Sequence, residues 1–363
     1  MQKRRKPSSN RKRFFTSFLV TIVVALLVLG GGYAAYRAVT RPPSLPEYEV
    51  FRIPVSNFPV ANNPYQETEN DNDPPTDSES DSPEYKELRF YRRPDFITIL
   101  IYGVDDGNNI DSLMVAGFDA ANGSAYLLSL PRDTRVYADR SVGRRKLVAS
   151  YSAGRGSARD HDAGINQLKT EVSTLLGFRP DFYVGINFRG FERLIDAIGG
   201  VYVTVPFHMR YDVPVEGLHI NLQPGHQRLN GQQALHFVRF RQANYGYRAV
   251  TDFQRQQHQQ QVISSAANEL LSVRTIGRLP ELVRIYQSNV TTNLSTGDIG
   301  WLLEQANGLQ GSLDLSTYTL PIARTERQGW YEIPDGEAIL ELVNSTVNPF
   351  TRDILPEMLR IIE

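Results

Sequence analysis

Residues 96–104 read FITILIYGV and run directly into Asp105 and Asp106. An apolar stretch that is rich in β-branched residues and reaches a glycine predicts a buried strand, with the two aspartates in the loop that follows. Two more short apolar runs come next, SLMVAGF at 112–118 and SAYLLSL at 124–130, and an Asn-Gly turn separates them. Three strands in such quick succession predict the start of a central sheet.

Helical and strand patterns alternate after this point. The periodicity predicts helices at 164–176, 188–198 and 251–271, and strands at 182–186 and 201–205. Because helices that alternate with strands cover a sheet, the expected fold class is α/β, with a central mixed β-sheet flanked by helices. No repeat of 20–50 residues is visible, which argues against a solenoid or a propeller.

The N-terminal part is predicted to anchor the chain in a membrane. Residues 1–13 form a basic tail with seven Lys or Arg and no acid, and residues 14–36 carry no charge. An uncharged segment of this length spans the roughly 30 Å of bilayer hydrocarbon as a helix, and the positive-inside rule leaves the tail in the cytoplasm. A cleaved signal peptide is the alternative, but the run exceeds the roughly 7–15 apolar residues of a signal peptide. The predicted localisation is the cell membrane, single-pass, with the rest of the chain extracytoplasmic.

Three segments follow the anchor. Residues 37–94 are rich in Pro, Asn, Ser and acids, which predicts a disordered linker. Residues 95–272 contain the α/β pattern and are predicted to be the functional domain. Residues 273–363 are either a C-terminal extension of that domain or a small accessory region.

Composition excludes several classes of function. The 363 residues contain no cysteine, which rules out a disulfide-stapled miniprotein, a cysteine-ligated metal site and a thiol nucleophile. A net charge of −1 and the outward orientation argue against nucleic acid as a partner. Between residues 88 and 258, 19 of the 21 basic residues are arginine, which favours recognition of phosphate or carboxylate. A high-GC genome would produce the same bias.

The helix predicted at 251–271 places polar residues on its buried side. At about 100° per residue, Asp252, Arg255 and Gln259 share the face of the apolar residues that follow them. Burying an unpaired charge is very costly. These residues therefore either line a polar cavity or form a buried Asp252–Arg255 pair with no further role.

Other candidate residues lie on strands and loops. Arg239 and Arg241 would share one side of HFVRFRQ if this segment is extended, which suits a phosphate, although two arginines on a surface strand are also common. Arg132 directly follows a predicted strand, where a rigid element can aim a loop residue into a cleft. Asp105 and Asp111 flank the loop DDGNNID, and oxygen ligands of this kind suit Mg²⁺ or Mn²⁺ rather than zinc.

Read in order, six blocks of sequence resemble the LytR-CpsA-Psr family of cell-wall glycopolymer phosphotransferases. They lie within about residues 96–272 and read YGVDD…IDSL, LSLPRDT, RRKLVASY, FRGFERLIDAIGGVYVTV, LQPGHQRLNGQQALHFVRFR and DFQRQQHQQQVI. The resemblance implies a membrane-anchored phosphotransferase that moves a glycopolymer from a polyprenyl-pyrophosphate carrier to a peptidoglycan hydroxyl. The implied partners are the lipid-linked glycopolymer, the peptidoglycan acceptor and the membrane, and the product is a phosphodiester.

The resemblance also implies roles for individual residues. Asp105 and Asp111 would hold Mg²⁺, or Mn²⁺, against the pyrophosphate. Asp252 and Arg255 would stand next to the reacting phosphorus and act as catalytic residues together with Arg132. The residues implied to contact phosphate oxygens are Arg132, Lys146, Arg239, Arg241 and Gln259.

Two positions depart from the family pattern. The loop between the two metal-binding aspartates is shorter than usual, and Asn109 stands where the family has an arginine. His258 stands where many relatives carry Arg or Lys. The alternative function is therefore a polyprenyl-phosphate-binding or scaffold protein of the cell envelope with reduced catalytic activity.

Overall fold

A computed structural model of the protein describes residues 42–54, 85–105, 109–136, 145–214, 218–270, 279–308 and 314–361. The predicted basic tail at 1–13 and the predicted anchor at 14–36 lie outside these residues, as do 37–41 and 55–84 of the predicted linker. Within the described ranges, no helix is both long enough and apolar enough to cross a membrane.

The described residues form strands and helices in alternation. The strands are β1 Tyr48–Pro54, β2 Tyr85–Tyr91, β3 Phe96–Val104, β4 Ile110–Asp119, β5 Ser124–Ser129, β6 Arg135–Val136, β7 Arg145–Lys146, β8 Phe182–Asn187, β9 Val201–Val205, β10 Met209–Val213, β11 Leu218–Leu222, β12 Gly225–Leu229, β13 Val290–Thr292, β14 Asp314–Thr319, β15 Ile322–Glu326 and β16 Tyr331–Pro334. The helices are α1 Ala149–Arg155, α2 His161–Leu176, α3 Phe188–Ala197, α4 Gly231–Arg239, α5 Asp252–Leu270, α6 Leu279–Asn289, α7 Thr296–Gly308 and α8 Gly336–Ser345.

Six strands form the central sheet in the order β13-β8-β3-β4-β5-β14. β3 pairs with β8 in parallel and with β4 antiparallel, and β5 pairs with β4 antiparallel and with β14 in parallel. The predicted α/β fold with a central mixed sheet is therefore confirmed. β13 and β14 come from residues after 272, so this part of the chain contributes two edge strands to the same sheet.

Helices cover both faces of this sheet. On one face, Leu100 and Val115 belong to a buried apolar cluster that also contains Leu168 of α2 and Val343 of α8. Ser129 points to the opposite face, where the Gln260 side chain of α5 donates to its hydroxyl at 2.9 Å. The central sheet therefore positions α5 directly across from β5.

A second apolar cluster lies beside the sheet. It joins α3, α4 and α5 to the strand pairs β9–β12 and β10–β11, with Val203, Ile220 and Phe237 fully buried. Gly200 leads from α3 into β9 at a φ of 97°, and a Cβ at this position would lie 2.7 Å from the Leu229 carbonyl oxygen. The tight turn after α3 thus depends on a residue without a side chain.

The linker prediction for 37–94 is wrong for residues 48–54 and 85–91. These residues form the antiparallel ribbon β1–β2, with Tyr48 opposite Tyr91. The ribbon is ordered because alternate side chains on one of its faces pack on the core, where the Phe51 and Phe90 rings lie 5.1 Å apart and Phe90 lies 5.4 Å from Phe350.

Residues 42–44 and 294–308 belong to a compact unit that is separate from the rest of the described chain. Helix α7 begins in this unit with reciprocal capping. The Ser295 backbone N–H donates to the Asp298 carboxylate at 2.7 Å, and the Asp298 N–H donates to the Ser295 hydroxyl at 3.1 Å.

Candidate active site

Asp111 occupies an irregular position on β4. The pairing of β3 with β4 runs in register as far as Gly103 and Ser112, and then Val104 pairs with Ile110. Asp111 is therefore the extra residue of a β-bulge, and bulges commonly re-aim a side chain beside an active site. Its carboxylate oxygen Oδ1 accepts a hydrogen bond from Arg132 Nη1 at 2.6 Å.

Arg132 lies in a tight turn that follows β5. The Thr134 hydroxyl donates to the Pro131 carbonyl at 2.7 Å, and the Val148 backbone N–H donates to the Arg132 carbonyl at 3.3 Å. These bonds hold the turn from both sides. The Arg132 guanidinium is therefore aimed by fixed backbone rather than by a free loop.

The first turn of α5 supplies two more charged side chains. The helix begins after Thr251, whose hydroxyl accepts the Gln254 backbone N–H at 3.2 Å while the Gln254 side chain accepts the Thr251 N–H at 3.0 Å. Asp252 and Arg255 then stand one turn apart, and Arg255 Nη2 donates to Asp252 Oδ1 at 2.7 Å.

Asp111, Arg132, Asp252 and Arg255 form a single network, the Arg–Asp cluster. Arg255 Nη1 lies 3.5 Å from Asp111 Oδ1, and Arg132 Nη2 lies 3.8 Å from Asp252 Oδ1. The predicted Asp252–Arg255 pair thus exists, but it is joined to a second pair from a different part of the chain. Three separate segments of sequence converge here.

The Arg–Asp cluster is buried on one side, and its two arginines have N–H groups without a hydrogen-bond partner among the described residues. The Arg255 side chain is only 4% exposed, whereas those of Arg132, Asp111 and Asp252 are 20%, 31% and 33% exposed. The buried Nε atoms of both arginines have no hydrogen-bond partner among the described residues. An anion with several oxygens could accept these N–H groups, so the arrangement suits a phosphate group.

Asp105 lies at the end of β3, on the strand next to the bulge. Its carboxylate accepts the Asn109 backbone N–H at 2.8 Å, and the Asn109 side-chain amide lies 3.2 and 3.3 Å from its two oxygens. Asn109, which stands where the resemblance implies an arginine, therefore binds Asp105 through both its backbone and its side chain. Residues 106–108 of this loop lie outside the described residues.

Asp105 and Asp111 offer carboxylate oxygens, the type of ligand that Mg²⁺ prefers. In the described part of the chain, no group of three or more His, Cys, Asp or Glu side chains is arranged to hold a metal ion. Mg²⁺ commonly uses only one or two carboxylates and takes its other ligands from water and substrate phosphates. These two aspartates fit that mode of binding.

Lys146 lies beside the Arg132 turn and is paired with a different aspartate. β7 pairs with β6, and Lys146 Nζ lies 3.0 Å from Asp133 Oδ1. Asp133 is the direct neighbour of Arg132. Lys146 therefore forms an ion pair of its own, next to the Arg–Asp cluster, through the residue that follows Arg132.

The segment HFVRFRQ is not extended, because it is helical as far as Arg239. A capping box between Asn230 and Gln233 starts α4 at Gly231, and Ala234 and Phe237 are buried at helical spacing, so the helix continues to Arg239. The sequence signal for this helix is the N-x-x-Q pattern of LNGQQ, which precedes the apolar positions.

Arg239 and Arg241 therefore do not share one side of a strand. The Arg239 guanidinium lies 4.4 Å from the centroid of the Phe188 ring. Phe188 directly follows Asn187, which pairs with Val104 at the end of β3. Arg239 therefore lies at the same end of the sheet as Asp105. Arg241 is exposed beyond the helix, where its carbonyl accepts the Val250 N–H at 3.2 Å just before α5.

The inner side of α5 is lined with uncharged polar side chains. Gln256, Gln259 and Gln260 are all buried. Gln260, which the sequence did not single out, donates to the Tyr318 carbonyl at 2.8 Å as well as to Ser129, so it ties α5 to β5 and β14. The signal that could have found it is its place next to Gln259 in a glutamine-rich helix.

His258 is buried against an aromatic ring. Its ring centroid lies 4.4 Å from that of Phe237, and burial lowers the pKa of His258 to about 4. The imidazole is therefore neutral at pH 7. His258 therefore carries no permanent positive charge at the position where the resemblance implies Arg or Lys.

The sequence profile of the LytR_cpsA_psr family matches residues 61–347. The chain belongs to the LytR-CpsA-Psr family. This confirms the resemblance carried by the six sequence blocks.

Curated members of the LytR-CpsA-Psr family are similar over most of the chain. The regulatory protein MsrR of Staphylococcus aureus is 29% identical, with 72% of this chain and 75% of MsrR aligned. TagU of Oceanobacillus iheyensis, named as a polyisoprenyl-teichoic acid–peptidoglycan teichoic acid transferase, is 29% identical, with 75% and 82% aligned. The names of these relatives thus include both a regulator and a transferase.

The fold is shared with solved LytR-CpsA-Psr structures. The crystal structure of TagV from B. subtilis has a TM-score of 0.57 and 26% sequence identity, and the match covers 71% of this chain and 99% of TagV. The mixed α/β architecture built around the Arg–Asp cluster is therefore that of the family.

Proposed function

We propose that this LytR-CpsA-Psr protein is a membrane-anchored, extracytoplasmic phosphotransferase. It moves a glycopolymer from a polyprenyl-pyrophosphate carrier to a hydroxyl group of peptidoglycan. The single observation that supports this most is the Arg–Asp cluster, because it brings two arginines with unpartnered buried N–H groups to one partly open position. TagU and TagV, which are both named as teichoic acid transferases, agree with the proposal.

The proposed reaction exchanges the phosphoanhydride bond of the pyrophosphate for a phosphate ester bond. The acceptor hydroxyl oxygen forms a bond to the phosphorus that bears the glycopolymer. The bridging P–O bond breaks, and its electron pair leaves with the polyprenyl phosphate. The hydroxyl proton passes to water, so the products are a phosphodiester on peptidoglycan and free polyprenyl phosphate.

The side chains of the cluster have distinct roles in this proposal. Arg132 and Arg255 donate to the phosphate oxygens, where negative charge increases in the transition state. Asp252 holds the Arg255 guanidinium through the 2.7 Å bond and keeps it aimed at the phosphorus. Positioned donors of this kind provide most of the catalysis in phosphoryl transfer.

Further residues would bind the pyrophosphate around the cluster. Arg239 lies at the same end of the sheet as Asp105, and Arg241 accepts a backbone hydrogen bond from Val250, just before α5. Lys146 could exchange its Asp133 partner for a phosphate oxygen, and Gln259 faces inward from α5. These contacts would serve binding of the donor more than the reaction itself.

Asp105 and Asp111 would hold Mg²⁺, or Mn²⁺. The metal would neutralise charge on the pyrophosphate. Asp111 Oδ1 is shared with Arg132 and Arg255, so metal binding would also free these two arginines to turn toward the phosphate oxygens.

A kinetic experiment on arginine variants tests the proposal. We expect Arg255→Ala to lower kcat by roughly 10- to 100-fold, because a charged hydrogen bond made in the transition state contributes about 1.5–3 kcal/mol. Arg239→Ala should chiefly raise KM for the donor. The measurement is the initial rate with the full-length protein, a polyprenyl-pyrophosphate-linked glycopolymer and peptidoglycan.

Two controls make this experiment decisive. Arg193→Ala removes an exposed arginine of α3 and should leave both constants unchanged. The melting temperature of each variant separates catalysis from folding. If Arg255→Ala is much less stable while its folded molecules turn over normally, the Asp252–Arg255 pair is structural and the catalytic role is lost.

A second candidate function is a polyprenyl-phosphate-binding or scaffold protein with reduced catalysis. The observation that favours it is Asn109, which binds Asp105 where the family has an arginine. This candidate predicts donor binding that depends on Arg239 and Arg241, with little or no transfer. Efficient transfer by the wild-type protein that Arg255→Ala abolishes would exclude it.

A further inference from the structure

A groove runs along the side of α5 that faces away from the Arg–Asp cluster. It has a volume of about 750 Å³ and lies between α5, β9 and β14. Gln257, Gln261, Ser264 and Asn268 line it from the helix. At about 100° per residue these four positions fall within an arc of roughly 60°, and Arg255 points to the other side of the helix. The groove is thus separate from the candidate active site but built on the same helix.

The helical wall of the groove carries no cation, and Glu269, near the end of α5, is its one charged lining residue. Residues 256–268 contain no Asp, Glu, Lys or Arg. The polar face of a surface helix normally contains several charged residues, whereas apart from Glu269 this wall offers amides and hydroxyls. Amides of Gln and Asn both donate and accept hydrogen bonds. Such a wall matches a ligand with neutral hydroxyl and amide groups, and it lacks the cations that a phosphate polymer requires.

The opposite wall presents a fixed aromatic ring. Tyr202 of β9 is 46% exposed, and its ring is stacked with that of His226 at 5.8 Å and 14°. The Arg228 guanidinium lies 5.6 Å from the Tyr202 ring centroid. These two residues of β12 hold the tyrosine in place. An exposed aromatic ring with an apolar face is suited to contact with the C–H face of a sugar ring.

The two walls are tied together by hydrogen bonds. The Tyr202 backbone N–H donates to Ser265 Oγ at 2.8 Å, and the Thr204 N–H donates to Gln261 Oε1 at 3.2 Å. Side chains of α5 thereby fill the open edge of β9. The groove therefore has a preformed shape, and a ligand would not have to order it on binding.

We propose that this groove binds an uncharged glycan chain made of N-acetylhexosamine units. The sugar rings would stack on Tyr202, and their hydroxyl and acetamido groups would bond to Gln257 and Asn268. The choice of a glycan rests on the proposed function, because both substrates of the transfer contain sugar chains. Binding remote from the reacting phosphorus would orient the chain for reaction at the other side of α5.

A ligand-binding experiment tests the groove directly. The probe is chitotetraose, and its binding to the full chain is measured by saturation-transfer difference NMR. We expect Tyr202→Ala and Asn268→Ala each to weaken binding by about tenfold. Tyr91→Ala is the matched control, because Tyr91 is also a strand tyrosine with 46% exposure and lies outside the groove. Melting temperatures should be unchanged in all three variants.

A transfer assay identifies which substrate supplies the glycan. If the acceptor chain occupies the groove, Tyr202→Ala raises KM for peptidoglycan, and if the donor polymer occupies it, the same variant raises KM for the donor. The binding and transfer results are independent. Chitotetraose binding that Tyr202→Ala removes, in a protein without transfer activity, would support the groove and overturn the proposed function. No chitotetraose binding, or equal binding by wild type and Tyr202→Ala, would overturn the groove even if transfer occurs.

Discussion

Asp111 shares one carboxylate oxygen between two guanidiniums. Oδ1 lies 2.6 Å from Arg132 and 3.5 Å from Arg255, so both arginines contribute to neutralising the aspartate. A side chain in this position has two functions at once in the proposed mechanism. It keeps the arginines in place, and it offers an oxygen to the metal.

The substitution Asp111→Asn removes the negative charge of the side chain but keeps its size and shape. We expect Asp111→Asn to lower turnover of a lipid-pyrophosphate donor by at least about 100-fold, because an amide oxygen binds Mg²⁺ more weakly than a carboxylate. Excess Mg²⁺ should restore part of the rate. The measurement is the initial rate against Mg²⁺ concentration.

The control for this prediction is the neighbouring ion pair. Asp133→Asn breaks the contact with Lys146 and leaves the Arg–Asp cluster intact, so it should change the rate only a few-fold. A wild-type rate that is unaffected by a chelator would remove the metal from the mechanism.

Helix α5 combines a charged first turn with a buried histidine. His258 is 4% exposed, and its lowered pKa of about 4 lies below the ordinary value of about 6.5. Between pH 6.5 and pH 4 the unfolded chain therefore binds a proton at His258 that the native chain does not. The contribution of the neutral, buried His258 to the free energy of unfolding is fully present above pH 6.5 and is lost as the pH falls from 6.5 to 4.

We expect the wild-type protein to lose up to roughly 3 kcal/mol of stability between pH 6.5 and pH 4 through His258 alone. His258→Gln should lose less over the same range. The measurement is the free energy of unfolding in urea at several pH values, compared between the two proteins. Burial also lowers the pKa of His161 and His236, so the difference between the curves is the informative quantity. Parallel curves would show that His258 does not contribute.

Most strands of the central sheet, and helix α5, could be predicted from the sequence. β3 and β9 occur at the residues that their apolar patterns predict, and α5 differs from its predicted range by one residue at each end. These elements have a strong local pattern. The pairing of Asp252 with Arg255 also followed from helical periodicity, because the two residues lie one turn apart on the same helix.

The sequence did not predict features that depend on distant partners. The Asp111 bulge is a property of the β3–β4 pairing, and the β1–β2 ribbon is ordered by packing on Phe350. HFVRFRQ has a strand-like alternation, but the Asn230 cap and the buried Phe237 favour a helix. Tertiary contacts decided each of these cases.

At the scale of the whole molecule, the β1–β2 ribbon links the two sides of the acidic linker. β1 lies on the N-terminal side of residues 55–84, and β2 lies on their C-terminal side. The strands pair from Tyr48 opposite Tyr91 to Pro54 opposite Tyr85. A cut within 55–84 would therefore break the chain but leave the two parts joined by the ribbon.

This geometry gives a test of the predicted topology. Protease added to intact cells should cut within residues 55–84, which the sequence predicts to be a disordered extracytoplasmic linker. The C-terminal fragment should stay with the membrane in buffer, because β1 remains attached to the predicted anchor at 14–36, and it should be released by urea. Phe51→Asp places a charge against the Phe90 and Phe350 rings and should free the cut fragment without urea. Electrophoresis of the membrane and soluble fractions distinguishes the outcomes. A chain that is fully protected from the protease would contradict the outward orientation, and a wild-type fragment that is released in buffer would contradict the link through the ribbon.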